Sequence, residues 1–350
     1  METKILKIDE NRIDPKEVEA AGSIIKRGGL VAFPTETVYG LGGNALDPAA
    51  SRKIYAAKGR PSDNPLIVHI YRIEDLYDIA VNVSDDAAKL ADKFWPGPLT
   101  MIFDKKDIVP EETTGGLKTV AVRMPDNRIA AEFIRASGGF VAAPSANLSG
   151  RPSATLAEHV IEDMDGRIEM IIDGGFSVIG LESTIVDMTG DVPMILRPGY
   201  ISGEMIRDVL GRVDYDPAVF GEYTEGLRPK APGMRYRHYA PKGDLTVFEG
   251  TADAVINAIN KAVEDRKAEG YSTGVMASEE FADRYVCDNI KILGSREHEE
   301  EIAAHLFDVL RSFDTDGTAY IFGECFTDGN LSAAIMNRLI KAAGYHIIKV

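Results

Sequence analysis

Cysteine is scarce: Cys287 and Cys325 are the only two in 350 residues. They lie far apart and near no histidine-rich cluster. A disulfide framework, a CxxC motif and a zinc knuckle are therefore excluded, and both thiols are expected as small buried hydrophobes. No apolar run approaches the roughly 20 residues that span a membrane. The opening METKILKIDENR has no apolar signal segment, so the expected compartment is the cytoplasm and no membrane partner is expected. Basic residues are also in short supply. The chain has 39 Lys+Arg against 55 Asp+Glu, a net charge of -16, and residues 1–210 have 23 against 32. That balance opposes a broad, nonspecific grip on nucleic acid, so direct stable nucleic-acid binding is not expected. It leaves room for a local basic pocket.

Several catalytic devices are missing too. No GxxxxGK[ST] occurs, so phosphates are not held by a P-loop, and no HExxH occurs. There is no GxSxG elbow and no kinase motif set.

What is present is a globular composition, 45% hydrophobic and 27% charged, long enough for two domains. Asp14-Pro15 and Asp47-Pro48 read as helix starts, the first ending at Gly28-Gly29 and the second near Ala57. Ser84 caps a third helix, and further helices fall near 127–136 and in ISGEMIRDVLG. LVAF (30–33), LIVHI (66–70), TMIF, TVAVRM, GFVAAP, IEMIID, STIVDM and PMILRPG read as strands. Direct strand-to-strand links mixed with helical crossovers predict an α/β sheet that is not purely parallel. After residue 243 the pattern changes to regular βα units. LTVFEG, STGVMAS, IKILG, TAYIFGE and YHIIKV alternate with helices over 251–268, 296–312 and 331–343, with a shorter one near 279–284. This predicts a smaller doubly wound parallel domain. No GxGxxG opens its helices, so a dinucleotide site is not supported. The expected division is 1–212, a linker 213–243, and 244–350.

Polar residues collect where a core would not place them. FPTETVYGLGGNA (33–45) offers Thr35, Glu36 and Thr37 after a buried strand and ends in an expected Gly-rich turn; it reads equally as a ligand loop or as a turn bonding its own backbone. In AAKGRPSDNPLIVHI, Lys58, Arg60 and Asn64 form a cradle suited to polyanions, or cations that merely complement a helix end. His69 lies inside the following strand, where a core histidine is the plainer reading. AAPSANLSGRPS (142–153) supplies small residues that let a backbone approach a ligand. Ser183 and Arg197 sit at opposite ends of two apolar runs that could pair as a hairpin, and Arg123 places a third cation in TVAVRMP. A buried arginine needs an anionic partner. Such a site, poor in paired carboxylates, suits phosphoryl or nucleotidyl transfer better than acid–base hydrolysis. Finally, LRPKAPGMRYRHYAPKG (227–243) has five cations and no acid; it is either a solvated tether or a lid over an anion.

PTETVYGLG, KGRP…NPLIVH, AVRMP, PSANLSG, STIVD and ILRPG occur in the order seen in threonylcarbamoyl-AMP synthases. PGMRYRHYAP and the following α/β domain resemble the two-domain form of that family. The resemblance covers essentially the whole chain. It implies a YrdC-like twisted mixed α/β sheet domain followed by a Rossmann-like parallel α/β domain. It implies formation of L-threonylcarbamoyl-AMP and pyrophosphate from L-threonine, bicarbonate or CO2, and ATP, with Mg²⁺ held mostly by phosphates and water. The product would pass to a separate complex that transfers it to tRNA. By resemblance, Lys58, Arg60, Ser145 and Asn147 form the catalytic cluster. Thr37, His69, Arg123, Ala143 (through its backbone) and Ser183 would hold threonine. Arg60, Asn64, Thr119, Ser145, Ser153, Arg197 and Tyr236 would hold ATP. No residue is expected as a metal ligand. An RNA- or tRNA-binding protein of the same fold is the competing reading, opposed by the charge. A hydrogenase-maturing carbamoyltransferase is opposed by the lack of zinc-finger cysteines.

Overall fold

The computed structural model describes residues 2–219, 231 and 238–350. These form two compact units. The first comprises residues 2–149, 153–178 and 182–219 with Ala231; the second comprises 150–152, 179–181 and 238–350.

The first unit is built on a twelve-stranded mixed sheet. In spatial order its strands are Lys4–Lys7, Met170–Asp173, Val31–Phe33, Gly40–Asn44, Val141–Ala142, Ile67–His69, Thr119–Arg123, Leu99–Lys105, Thr184–Asp187, Met194–Arg197 and Asp214–Tyr215. Ala80–Val81 pairs with Leu99–Lys105 off this path. The helix starts follow the local chemistry. Asp14 accepts from the Lys16 amide to open Pro15–Lys26, and Asp47 accepts from the Ala49 amide to open Pro48–Lys58. Gly59, at φ 62°, ends the second helix just after Lys58. Ser84 and Asn127 cap Asp85–Phe94 and Arg128–Ala136 in the same way.

One expectation is corrected. The glycines of 40–43 form a buried strand rather than a turn. A Cβ on Gly40 would come within 2.9 Å of the Phe33 ring, and one on Gly42 within 2.9 Å of Val141. Glycine is needed there because neighbouring side chains occupy the space. The helix Ala157–Met164 and the strand Lys4–Lys7 are also present, though no pattern had indicated them.

Alternation along the central strands separates two faces. Val68, Val120, Val122, Met101, Phe103 and Val186 point into the main core beneath the helices. On the opposite face Ile67, Ile102, Ala121, Ile185 and Leu196 form a smaller apolar floor, against which Ala231 is fully buried. Of the polar residues singled out above, His69, Thr119 and Arg123 alternate onto this second face.

The second unit is a five-stranded all-parallel sheet in the order Ile290–Ile292, Thr273–Ala277, Tyr320–Glu324, Asp244–Glu249, Ile347–Lys349. Helix Ala252–Ala268 packs Val255, Ile256, Ile259 and Val263 onto Phe248, Val275, Ala277 and Phe322. The Tyr239 ring lies 5.1 Å from that of Phe307. Cys287 and Cys325 are free thiols, half-buried rather than buried as expected.

Candidate active site

Register assembles the site. Parallel pairing sets His69 beside Arg123, and antiparallel pairing sets Arg123 beside Thr100. Thr100 in turn lies beside Ile185, and Ile185 opposite Arg197. Side chains with this register share one face of the pleat, so His69, Arg123 and Thr100 make a row across three adjoining strands; the register shifts between Ile185 and Val186, and across that irregularity Arg197 reaches the row through Ser183. The expected hairpin of 184–187 with 194–197 is what brings Ser183 to Arg197. Arg197 Nε donates to the Ser183 carbonyl at 3.1 Å and Nη2 to Ser183 Oγ at 3.2 Å, while Ser183 Oγ lies 2.7 Å from Thr100 Oγ1.

Arg123 is 4% exposed. Its Nη1 donates to Thr37 Oγ1 at 2.8 Å, and Thr37 is positioned by Thr35 Oγ1 at 2.9 Å. Its Nη2 lies 2.7 Å from Glu36 Oε2. That contact is an ion pair outside hydrogen-bonding geometry, since neither Glu36 oxygen has a hydrogen-bond partner among the described residues. A buried carboxylate with unused lone pairs is costly, and the cost is recovered when a donor arrives. Glu36 was visible in the sequence only as one member of a polar triplet. His69 is 4% exposed, with Nδ1 3.2 Å from the Ile67 carbonyl. Burial, reinforced by the Arg123 charge, pushes its pKa down from 6.5 to about 3. The imidazole is therefore neutral at physiological pH and adds no charge to the row.

Lys58 ends its helix at 3% exposure and donates to the carbonyls of Ser145 and Asn147, with Asn147 Oδ1 at 3.5 Å. Ser145 Oγ donates to the same Oδ1 at 2.5 Å. Lys58, Ser145 and Asn147 are thus one cluster. Arg60 diverges from it. Its Nη2 donates to the carbonyls of Asn64 at 3.2 Å and Pro65 at 3.1 Å, so the guanidinium braces its own loop. Asn64 Oδ1 is buried without a hydrogen-bond partner among the described residues. Thr119 stands at the far end of its strand, about 13 Å from Arg123 at 3.3 Å per residue. Extending the register of Ile67 with Ala121 puts it beside Pro65, on the Arg60 side of the face. Ala143 is buried in the cluster that holds Phe33 and Val141, its amide donating to the Ile67 carbonyl at 2.8 Å. Ser153 Oγ donates to Glu182 Oε1 at 2.5 Å. Tyr236 and most of the basic segment, including Arg228, Lys230, Arg235 and Arg237, lie outside the described residues.

The result is a sheet face with an apolar floor and a guanidinium–hydroxyl row, together with a lysine cluster and an arginine-braced loop. Thr100 and Glu182 belong to this network and are not singled out by the sequence, whereas Glu36 is, without a role. Thr100 lies in an apolar strand, and only the register across to Arg123 and Ser183 reveals it. Among the described residues no group of three or more His, Cys, Asp or Glu could hold a metal ion.

A family model described as telomere recombination matches residues 23–199, and a model of the threonylcarbamoyl-AMP synthase C-terminal domain matches residues 201–344. The threonylcarbamoyl-AMP synthase of Pyrococcus abyssi is 48% identical over 99% of this chain and 100% of its own. That of Bacillus subtilis is 46% identical over 97% of each. The crystal structure of Pyrococcus abyssi Sua5 complexed with L-threonine matches at a TM-score of 0.94 and 48% identity, covering 99% of this chain and 100% of that one. Relatives that match both units along their full length, and that share this arrangement of strands, show that the chain belongs to the threonylcarbamoyl-AMP synthase family of nucleotidyltransferase-type enzymes.

Proposed function

We propose that the chain joins L-threonine, bicarbonate or CO2, and ATP into L-threonylcarbamoyl-AMP, releasing pyrophosphate, and supplies that adenylate to a separate tRNA-modifying complex in the cytoplasm. The supporting observation is the set of deeply buried cations: Lys58, Arg123 and Arg197 are 3%, 4% and 5% exposed. In the reaction, the threonine nitrogen adds to CO2 and loses a proton. A carbamate oxygen then attacks the α-phosphorus, and the bond from that phosphorus to the bridging oxygen breaks. Two anions meet, so fixed positive charge in a dry site lowers the barrier.

On this reading Arg123 and Thr37 receive the threonine carboxylate, with neutral His69, Ala143 and Ser183 shaping its pocket. Glu36 offers its unused oxygens to the amine. Lys58, with Ser145 and Asn147, faces the carbamate and α-phosphate. Arg60, Asn64, Thr119, Ser153, Arg197 and Tyr236 hold the nucleotide. The free Oδ1 of Asn64 and the small residues 143–149 suit such a ligand. Of the acids near the row, Glu36 is assigned to the amine and Glu182 is engaged with Ser153. Mg²⁺ would therefore enter on the triphosphate, held by phosphate oxygens and water. We also assign 1–212 as the catalytic domain, 213–243 as a linker with a basic lid, and 244–350 as the second domain. Ala231, buried on the apolar floor, supports the lid. The depth of the cations argues against the RNA-binding reading, because a polynucleotide backbone needs accessible ones.

Pyrophosphate release from ATP tests the proposal. Release should require both L-threonine and bicarbonate; release indifferent to threonine overturns it. Ending the chain after Leu227 should impair turnover, and full activity of residues 1–227 removes the lid.

A further inference from the structure

The second unit has a cavity at the point where the direction of its strand-to-strand crossovers reverses. The strands Asp244–Glu249 and Tyr320–Glu324 are parallel neighbours. The first continues through Ala252–Ala268 to Thr273–Ala277 on one side; the second continues through Ser332–Ala342 to Ile347–Lys349 on the other. Right-handed crossovers in opposite directions place the two helices on opposite faces, and the loops part above the carboxyl ends of the strands. A cavity of about 460 Å³ lies at that parting, between Phe248 and Glu249 on one strand and Glu324 and Cys325 on the other, with Arg296 and Asp328 on its wall. Its size falls in the small-molecule range.

The wall is more elaborate than packing requires. Glu324, 1% exposed, accepts from the Ser278 amide, Ser278 Oγ and Tyr285 Oη, each at 3.0 Å, and from Arg296 Nη2. Arg296 Nε donates to Ser278 Oγ at 3.2 Å and Nη2 to the Cys325 carbonyl at 3.1 Å. The guanidinium carbon sits 5.2 Å from the Phe281 ring centre and 4.8 Å from that of Phe326. Burying such a pair stabilises a fold less than apolar residues of equal volume would. What the network provides is orientation: a planar donor clamped on the cavity wall, with Nη1 taking no protein partner among the described residues.

Charge selects the ligand. Glu324 takes the Nη2 edge of Arg296 and leaves its Nη1 without a protein partner among the described residues. Glu249 is paired to Lys349 at 3.3 Å, and exposed Asp328 has no ion pair among the described residues. A simple anion would satisfy Arg296 but meet Asp328 and Glu249; a simple cation would meet Arg296. A molecule carrying both charges avoids either conflict. We propose that this cavity binds an α-amino acid or a similarly small zwitterion, with its carboxylate on Arg296, its ammonium toward Asp328 and Glu249, and its side chain against Phe248 and Phe281. Burial pushes the Cys325 thiol up to about 11, so the nearby sulfur stays protonated and the site binds without covalent chemistry.

Calorimetric titration of the full chain with each of the twenty L-α-amino acids tests this. The single-charge probes acetate, inorganic phosphate and n-butylamine are run beside them. The expected result is saturable binding of at least one amino acid other than threonine, or of threonine at two sites per chain, with the single-charge probes far weaker. Ala252 is exposed at the start of its helix, where a glutamate favours the helix dipole. Ala252→Glu should therefore fold, place a carboxylate at the cavity, and weaken binding about tenfold or more, a change of about 1.4 kcal/mol per decade. Asp328→Asn, an exposed neutral isostere, should weaken it as well. Absence of any such binding, binding unchanged in both variants, or acetate, phosphate or n-butylamine binding as tightly as an amino acid overturns the proposal.

Discussion

Replacing His69 with asparagine isolates the cost of keeping an imidazole neutral beside Arg123. The folded chain holds His69 at about 3 against an ordinary 6.5, first through burial and then through the Arg123 charge. The folded value is the lower one, so the unfolded chain binds more protons between the two. Stability therefore falls as pH drops below about 6.5 and continues to fall toward about 3. At 1.36 kcal/mol per pKa unit the whole interval amounts to about 5 kcal/mol, of which about 2 kcal/mol is lost between pH 7 and pH 5. The assay is urea unfolding followed by tryptophan fluorescence. The single tryptophan, Trp95, is 7% exposed in the first unit, so it reports the unit that contains His69. The parent protein should lose about 2 kcal/mol more than His69→Asn over that pH step. The smaller side chain lowers stability at both pH values, and that common loss cancels in the difference. Equal losses in the two proteins would refute the assignment of a neutral, buried His69.

Three further outcomes follow from the same face. Lys58→Met removes the ammonium that gathers the Ser145 and Asn147 carbonyls, and threonine-dependent pyrophosphate release should drop by about 10²–10³-fold with the circular dichroism spectrum preserved; near-parental release removes Lys58 from the chemistry. Glu36→Gln keeps the shape but not the charge facing Arg123. If Glu36 receives the amine, the KM for threonine should rise about 10–100-fold, the scale of a hydrogen bond to a charged group, whereas tighter threonine binding would show that Glu36 only competes for Arg123. Ser183→Ala takes away the hydroxyl shared by Thr100 and Arg197. That should lower kcat/KM about threefold to tenfold, and an unchanged value would leave the hydroxyl a packing role.

Local chemistry made much of the scaffold legible. Asp14-Pro15, Asp47-Pro48 and Ser84 start helices because their side chains bond first-turn amides that no helical carbonyl can reach. The five apolar runs after residue 243 became five parallel strands because each is short, β-branched or aromatic-rich, and separated from the next by a helical or looped crossing. The strand Gly40–Asn44 was hidden because glycine's intrinsic preference is for turns. Only the Phe33 ring and Val141 packed against it explain why Gly40 and Gly42 carry no side chains. The helix Ala157–Met164 has no side-chain N-cap bond, so its start carried no local signal.

The active face divides along the same line. Sequence by itself determined that cations and hydroxyls stand at Lys58, Arg60, Arg123, Ser145, Ser183 and Arg197, without a P-loop, and it is the order of those motifs that resembles a family. Tertiary structure alone decided which of them meet. Arg123 reaches Thr37 and Glu36 across more than eighty residues of chain, Thr100 enters through strand register, and Arg60 turns to its own loop while Lys58 joins the 145–147 turn. The depressed pKa of His69 is likewise invisible in one dimension, since it depends on how much water burial removes and on a guanidinium delivered by the neighbouring strand. Residue identity sets which charges and donors a chain possesses; pairing between distant strands sets the distances over which they act, and electrostatic and hydrogen-bond energies depend steeply on those distances.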